Sequence, residues 1–133
     1  MKYLLDTNII SALEKAPDGP LLSRLLRTGM DNAVTSIIVA GELQFGIMKS
    51  KTASLKKNLE TLLGSITVLP LEEPVNLEYG RIRADLEKRG TPIGNNDLWI
   101  AAHALALGLT LVTDNVDEFS RVDGLRVENW LRP

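Results

Sequence analysis

Short apolar runs alternate along the chain with longer stretches in which apolar residues recur every three or four positions. The short runs predict buried strands at residues 3–5, 33–35, 66–69 and 109–113, with a final edge strand around 126–128. The longer stretches predict helices at 9–13, 21–26, 37–49, 54–63, 75–89 and 98–107. Strands that alternate with helices favour an α/β fold, a three-layer α/β/α sandwich with a mainly parallel sheet.

The first predicted strand leads directly into a carboxylate. Leu4 and Leu5 are followed by Asp6 and then by Thr7 and Asn8, either of which suits the cap of a short helix. In open α/β sheets, binding sites form beyond the carboxyl ends of the strands. An acid buried there needs a cap, a base or a cation to compensate its charge, so Asp6 is the first candidate for a functional residue.

Glycine and proline residues mark the ends of several helices. Pro20 suits a first helical turn, while Gly64, Gly90 and Gly108 are expected to end helices. Lysines face outward in the segment 51–63, which predicts a lid or a hairpin that faces a partner. The apolar faces of 55–63 and 75–86 exceed what a small sheet needs to cover, which predicts a homodimer.

Length and composition limit the class of protein. A chain of 133 residues predicts one domain spanning 1–133, and a formal net charge of -2 argues against a general nucleic-acid coat protein. The chain has no cysteine, so thiolate catalysis and cysteine-bound zinc are excluded. No apolar stretch is long enough to span a bilayer, and we therefore expect a cytoplasmic protein that does not enter the membrane.

Four acidic residues are expected at one end of the sheet. Asp6 and Asp114 follow strands, Glu42 lies early in the third predicted helix, and Asp97 opens the last long helix. Gathered carboxylates repel one another unless a cation neutralises them, and oxygen ligands favour Mg²⁺ or Mn²⁺. Such an ion activates water and polarises a phosphodiester, so the pattern predicts metal-assisted phosphodiester hydrolysis.

Four motifs in order resemble the PIN-domain ribonucleases, and among them the VapC toxins of type II toxin–antitoxin systems. The motifs are Leu5-Asp6-Thr7-Asn8, the helix from Ser36 to Gly46 with Glu42, the segment from Pro92 to Ala104 with Asp97, and Leu111 to Asn115 with Phe119. The resemblance implies that Asp6 and Asp97 bind Mg²⁺, that Glu42 completes the acidic pocket, and that Thr113 orients its neighbours. Many relatives carry an acid at position 115. Here the chain has Asn115 beside Asp114, and both remain candidates.

The same resemblance implies a function and a set of partners. The chain is expected to be an Mg²⁺-dependent endoribonuclease toxin that cleaves RNA, such as tRNA, and that a VapB-like antitoxin neutralises. A homodimer and a toxin–antitoxin hetero-oligomer are expected, with operator DNA contacted only through the antitoxin. An Arg or Lys of the antitoxin is expected to displace the metal.

Two other functions remain open at the level of sequence. An aspartyl-phosphate phosphatase would use Asp6 but needs a second acid at position 8, which is Asn8. A non-catalytic PIN scaffold that binds a partner or co-represses transcription would not need Asp6, Glu42 and Asp97. His103 is turned away from Asp97 on the same helix and is interpreted as a core residue.

Overall fold

The computed structural model describes residues 1–132, which form a five-stranded sheet flanked by helices. The elements in chain order are β1 (Tyr3–Leu5), α1 (Thr7–Lys15), α2 (Pro20–Thr28), a 3₁₀ turn (Met30–Asn32), β2 (Ala33–Ser36), α3 (Ile37–Lys49), α4 (Ala53–Ser65), β3 (Thr67–Leu69), α5 (Val75–Lys88), α6 (Asn95–Leu107), β4 (Thr110–Val112), α7 (Val116–Phe119) and β5 (Val127–Glu128).

The sheet has the order β3-β2-β1-β4-β5, and every neighbouring pair is parallel. The N-terminal strand β1 therefore lies in the centre, with Leu4 paired to Val34 on one side and to Leu111 on the other. Leu4 and Leu5 are fully buried although their side chains point to opposite faces, so helices cover both sides of the sheet. The predicted α/β fold is confirmed, with a sheet that is parallel throughout.

Local chemistry explains most helix ends. Pro20 is the first residue of α2, Ser36 caps α3 by accepting a hydrogen bond from the Ile38 amide at 3.1 Å, and Gly108 ends α6 with a φ of 67°. The prediction that Gly64 ends α4 is wrong. Gly64 lacks a positive φ, and the helix continues to Ser65.

The segment predicted as a lid or partner-facing hairpin is instead built into the fold. Helix α4 packs against α1 and α3, and its Leu59 is buried. Leu55, Leu62 and Leu63 pack against the core, as do Val75, Tyr79, Ile82 and Leu86 of α5, while Leu77 is exposed. The surface from which we predicted a dimer is therefore mostly covered.

Exposed apolar side chains are concentrated on α3. Ile37, Phe45 and Met48 lie along one outward stripe that also contains Gly41, and Phe45 is 67% exposed. The opposite face of the helix, with Val39, is buried. Exposed apolar surface thus lies mainly on α3 and less on α4 or α5.

Within residues 1–132, no helix combines the length and the apolar character that crossing a membrane requires.

Candidate active site

Asp6 lies at the carboxyl end of the central strand and is only 4% exposed. Its Oδ1 accepts a hydrogen bond from the Thr7 amide at 2.8 Å, so Asp6 itself caps α1. The prediction that Thr7 or Asn8 caps this helix is wrong, because the helix begins one residue earlier. Asp6 therefore combines a helix cap with a buried negative charge.

The sheet register brings Thr113 to Asp6. Leu5 pairs with Val112, so the next residue on each strand lies side by side, and the Thr113 hydroxyl donates to Asp6 Oδ2 at 2.7 Å. Asn8 joins the same group, since its side-chain oxygen accepts from the Asp114 amide at 3.0 Å. The predicted orienting role of Thr113 agrees with this geometry, which holds the Asp6 carboxylate in one orientation.

Glu42 approaches the site from α3. Its Oε1 accepts a hydrogen bond of 2.6 Å from the Thr7 hydroxyl. Thr7 follows Asp6 directly and binds both carboxylates. Its backbone N–H donates to Asp6, and its side-chain hydroxyl donates to Glu42. Helix α3 is held in turn by its Ser36 cap at the end of β2.

Asp97 lies in the first turn of α6 and is paired with Glu118 of α7. When protonated, Asp97 donates a hydrogen bond to the Glu118 carboxylate. The Gly94 amide donates to Glu118 Oε1 at 2.9 Å, and a side chain at position 94 would begin 3.6 Å from Asp97 Oδ2. The missing side chain at Gly94 leaves both carboxyl groups accessible.

Asp114 and Asn115, the two residues left open by the sequence, have different surroundings. The Asn115 amide group donates to Glu118 Oε2, and its backbone N–H donates to the Thr113 hydroxyl at 3.0 Å. Asp114 Oδ1 accepts from Asn129 at 3.0 Å and pairs with Arg132 at 3.3 Å. Asn115 is thus connected to the acidic group through Glu118, whereas the Asp114 carboxylate is engaged by the C-terminal segment.

Glu118 is the site residue that the sequence interpretation missed. The predicted motif ran from Leu111 to Asn115 and included Phe119, but the sequence did not predict α7, the single helical turn between them. In a helical turn, a side chain three residues on returns to the same face, so Asn115 and Glu118 meet. The buried Phe119 beside Glu118, which anchors this turn, is the signal that could have located it.

The pKa values of Asp6 and Asp97 are raised, whereas that of Glu118 is lowered. Burial raises the pKa of Asp6 most, repulsion from Glu42 and Glu118 adds to this, and the hydrogen bonds from Thr113 and Thr7 oppose it. The pKa of Asp97 is raised to about 7, chiefly by burial and then by the hydrogen bond and repulsion from Glu118. Burial also acts to raise the pKa of Glu118, but the hydrogen bonds from Gly94, Asp97 and Asn115 outweigh it and lower that pKa.

The donor set fits a hard divalent cation. Asp6, Glu42, Asp97 and Glu118 offer only oxygen atoms, which suit Mg²⁺ or Mn²⁺. Among residues 1–132, no three acidic or histidine side chains already converge closely enough to form a metal site. With the pKa of Asp97 raised to about 7, a proton can compensate part of the negative charge near neutral pH, and a cation would take over that role.

The acidic group opens into a cleft of about 530 Å³. The predicted site residues Asp6, Glu42, Asp97, Asp114 and Asn115 all line it, together with Lys15. A second groove of about 570 Å³ shares Thr7 and Glu42 with the cleft and continues along α3 past Ile38 and Phe45. The acids therefore lie where an elongated ligand can pass across them.

Other candidates lie outside the acidic group. His103 is fully buried, its Nδ1 lies 2.8 Å from the Ser36 hydroxyl, and burial lowers its pKa, which agrees with a core role. Tyr79 and Trp99 stack on each other with ring centroids 3.8 Å apart. Arg81 and Arg83 of α5, and Arg89 just beyond its end, form ion pairs with acidic residues of the same helix.

The PIN domain family model matches residues 3–125. Ribonuclease VapC2 of Rickettsia felis is 40% identical over 98% of this chain and 98% of its own length. The tRNA(fMet)-specific endonuclease VapC of Salmonella typhimurium is 34% identical, again over 98% of each chain.

A solved structure has the same architecture over nearly the whole chain. It is VapBC2 from Rickettsia felis bound to a DNA fragment from its promoter, and it superposes with a TM-score of 0.90 at 37% identity. The alignment covers 98% of this chain and 99% of that one.

Proposed function

The chain belongs to the PIN-domain family and, within it, to the VapC ribonucleases, and from this premise we propose that it is an Mg²⁺-dependent endoribonuclease that acts as the toxin of a toxin–antitoxin pair. The observation that carries the proposal is the group of acids around Asp6. Thr113 holds the buried Asp6 carboxylate, and Glu42 and Glu118 repel it. Such a carboxylate destabilises the fold unless a bound cation compensates its charge.

We propose that Asp6 and Asp97 bind the ion, with Glu42 and Glu118 completing its surroundings. When bound, Mg²⁺ supplies charge that lowers the pKa of water and stabilises the leaving oxygen of a phosphodiester. Thr113 and Asn8 donate to Asp6 Oδ2, at 2.7 Å and 3.4 Å. Thr7 holds Glu42, and Asn115 and the Gly94 amide hold Glu118. These hydrogen bonds would fix the direction from which the carboxylates meet a bound cation.

We propose RNA as the substrate. The relative from Salmonella typhimurium is named a tRNA(fMet)-specific endonuclease, which supports tRNA as the class of RNA. Structured RNA is recognised largely by shape and by contacts to its backbone. The acidic cleft gives room for a strand, and Lys15 supplies a positive charge in it.

We propose a VapB-like antitoxin as the partner, because the structural neighbours are complexes of VapB with VapC. In this assembly operator DNA would contact the antitoxin and not this chain. We also propose that the free toxin is a homodimer that buries the α3 stripe of Ile37, Phe45 and Met48.

A non-catalytic PIN scaffold is the competing function. Asp6 caps α1, which a scaffold also needs, but a cap does not need two further carboxylates, Glu42 and Glu118, whose repulsion raises its pKa. The side chains of Thr113 and Asn8 also hold the Asp6 carboxylate in one orientation, and this arrangement favours the enzyme.

Replacement of Asp6 tests the proposal. Asp6→Asn removes one repelling charge with little change in shape, so in EDTA the melting temperature should stay equal or rise. The variant should lose most of the stabilisation by Mg²⁺, and RNA cleavage should fall by more than about a hundredfold. Asp117→Asn, an exposed acid beside Glu118, is the matched control and should behave as wild type.

Sequencing of RNA 5′ ends after brief induction of wild type and Asp6→Asn would then identify the cleaved RNA. If Asp6→Asn kept both its Mg²⁺-induced shift and its cleavage activity, the metal site and the mechanism built on it would be wrong.

A further inference from the structure

The first three residues of α6 line three different cavities. Asp97 lines the acidic cleft, Asn96 lines the groove along α3, and Asn95 lines a separate cavity of about 280 Å³ between α5 and the segment that precedes α6. We call the last one the Asn95 cavity. Successive helical residues point about 100° apart, so one turn presents side chains to all three.

Both apolar and polar residues line the Asn95 cavity. Its apolar residues are Leu86, Pro92, Ile93 and Leu98, and its polar residues are Arg83, Glu87 and Asn95. Apolar walls suit the faces of a flat ring, while a guanidinium, a carboxylate and an amide suit hydrogen-bonding groups at its edge. A nucleobase has this combination of flat apolar faces and a polar edge.

The polar residues are held in place before any ligand arrives. Tyr79 stacks on Trp99 and donates to Asn95 Oδ1 at 2.8 Å, and Arg83 donates to the Tyr79 hydroxyl at 2.9 Å. The bond from Tyr79 occupies the oxygen of Asn95, so its amide nitrogen is the group left to donate to a ligand. Arg83 is also close to Glu87, at 3.4 Å.

The backbone wall of the cavity is fixed as well. The Thr91 amide donates to the Leu86 carbonyl at 2.9 Å, and Arg121 donates to the Pro92 carbonyl at 3.1 Å. The other end of this segment, Gly94, donates to Glu118 of the acidic group. One short segment therefore forms a wall of the cavity and also holds a carboxylate of the proposed active site.

We propose that the Asn95 cavity binds a nucleobase of the RNA strand that is cleaved, at a nucleotide close to the scissile phosphate. The inference rests on the proposed ribonuclease function and deepens it, because it assigns base recognition to residues that touch neither the metal nor the phosphate. Asn95 and Asp97 lie two positions apart in the first turn of α6 and point to different sides of it, so a strand that crosses this helix end can place a base at Asn95 and a phosphate in the acidic cleft. Arg83 and Glu87 then act as specificity residues.

Direct binding tests the proposal without cleavage. Wild-type protein in EDTA is titrated into fluorescent RNA decamers of A, C, G or U and into an abasic decamer of equal length, and anisotropy is measured. The abasic strand keeps the phosphates but has no bases. At least one base-bearing decamer should bind about tenfold more tightly than the abasic strand, as expected for one well-placed base contact.

Arg83→Ala should lose most of that difference between base-bearing and abasic strands. Arg81→Ala is the matched control, since both arginines lie on α5, form one ion pair, and have side chains that are 51% and 52% exposed. Arg81 does not line the cavity, so Arg81→Ala should keep the preference for bases. Any general loss of phosphate attraction should be equal in the two variants.

Three outcomes would overturn the proposal. The first is a wild type that binds base-bearing and abasic strands equally, and the second is equal behaviour of Arg83→Ala and Arg81→Ala. The third is a change of oligomeric mass in Arg83→Ala alone, which would identify the cavity as a protein interface. Absence of Mg²⁺-dependent cleavage with the binding difference intact would instead contradict the ribonuclease function and leave the base-binding site standing.

Discussion

The carboxyl group of Asp97 should make the metal-free protein less stable as the pH rises. Its pKa is about 7 in the folded chain and near 3.8 in an unfolded one, so between these values the folded state holds the extra proton. Stability therefore falls with rising pH until the group ionises in both states. In EDTA the melting temperature should decrease from pH 5 to pH 8, and Asp97→Asn should remove much of that decrease.

Added Mg²⁺ should raise the melting temperature more at pH 8 than at pH 5, because protons and the cation compete for the same carboxylates. Calorimetry or fluorescence melting at several pH values measures both effects. A wild-type melting temperature in EDTA that stays constant over this range would contradict the protonated state of Asp97.

Asn115 and Asp114 should differ sharply when replaced. Asn115→Ala removes the hydrogen bond to Glu118 and should reduce Mg²⁺-dependent cleavage about tenfold, as is typical of residues that orient a metal ligand. Asp114→Asn should reduce it less than about twofold, since its carboxylate is engaged by Asn129 and Arg132. Steady-state cleavage of one RNA by both variants shows which of the two residues contributes more to activity. A larger loss in Asp114→Asn would assign the fourth acidic position of the site to Asp114.

The sequence predicted Asp6, Glu42 and Asp97 as site residues because Asp6 ends a strand, Asp97 lies in a first helical turn, and Glu42 lies early in the helix after the second strand. It could not identify the hydrogen bonds between them. The contact of Thr113 with Asp6 depends on the register of β1 and β4, and that of Thr7 with Glu42 depends on how α3 packs. Glu118 was missed because α7 is too short for periodicity to reveal it.

Helix α3 should mediate dimerisation of the free protein. Phe45→Lys places a charge in the middle of the exposed apolar stripe and should shift the protein toward monomer at micromolar concentration. Leu77→Lys on α5 is the matched control, since Leu77 is also 67% exposed. Light scattering measures the change, and a wild type that is already monomeric at this concentration would refute the dimer.

The elements themselves were largely predictable. Apolar runs located the first four strands, and the proline and glycine signals located the helix ends except at Gly64. The surface of α3 was not predictable, because Ile37, Phe45 and Met48 look like core residues until the packing shows which face is covered. Hydrophobic spacing shows that a residue is apolar, and only the neighbours of a helix show whether that residue is buried.

The antitoxin should inhibit by placing a basic side chain among the acids. The cleft of about 530 Å³ around Asp6 and Asp97 has room for an arginine or lysine, which would pair with the carboxylates in place of the cation. A purified toxin–antitoxin complex should therefore show no cleavage at saturating Mg²⁺. Replacing that basic residue of the antitoxin by alanine should weaken inhibition about tenfold, and full activity of the intact complex would contradict this mode of inhibition.

The central place of β1 in the sheet has a consequence for the synthesis of the protein. Asp6 leaves the ribosome near the start of translation, but its strand pairs with β4, and Thr113 and Glu118 are made near the end. The nascent chain cannot assemble its acidic site until the last part has emerged, because contacts between distant segments form only when both are present. A polypeptide whose translation stops early would then lack the site, so only ribosomes that nearly complete this chain would release a potential nuclease.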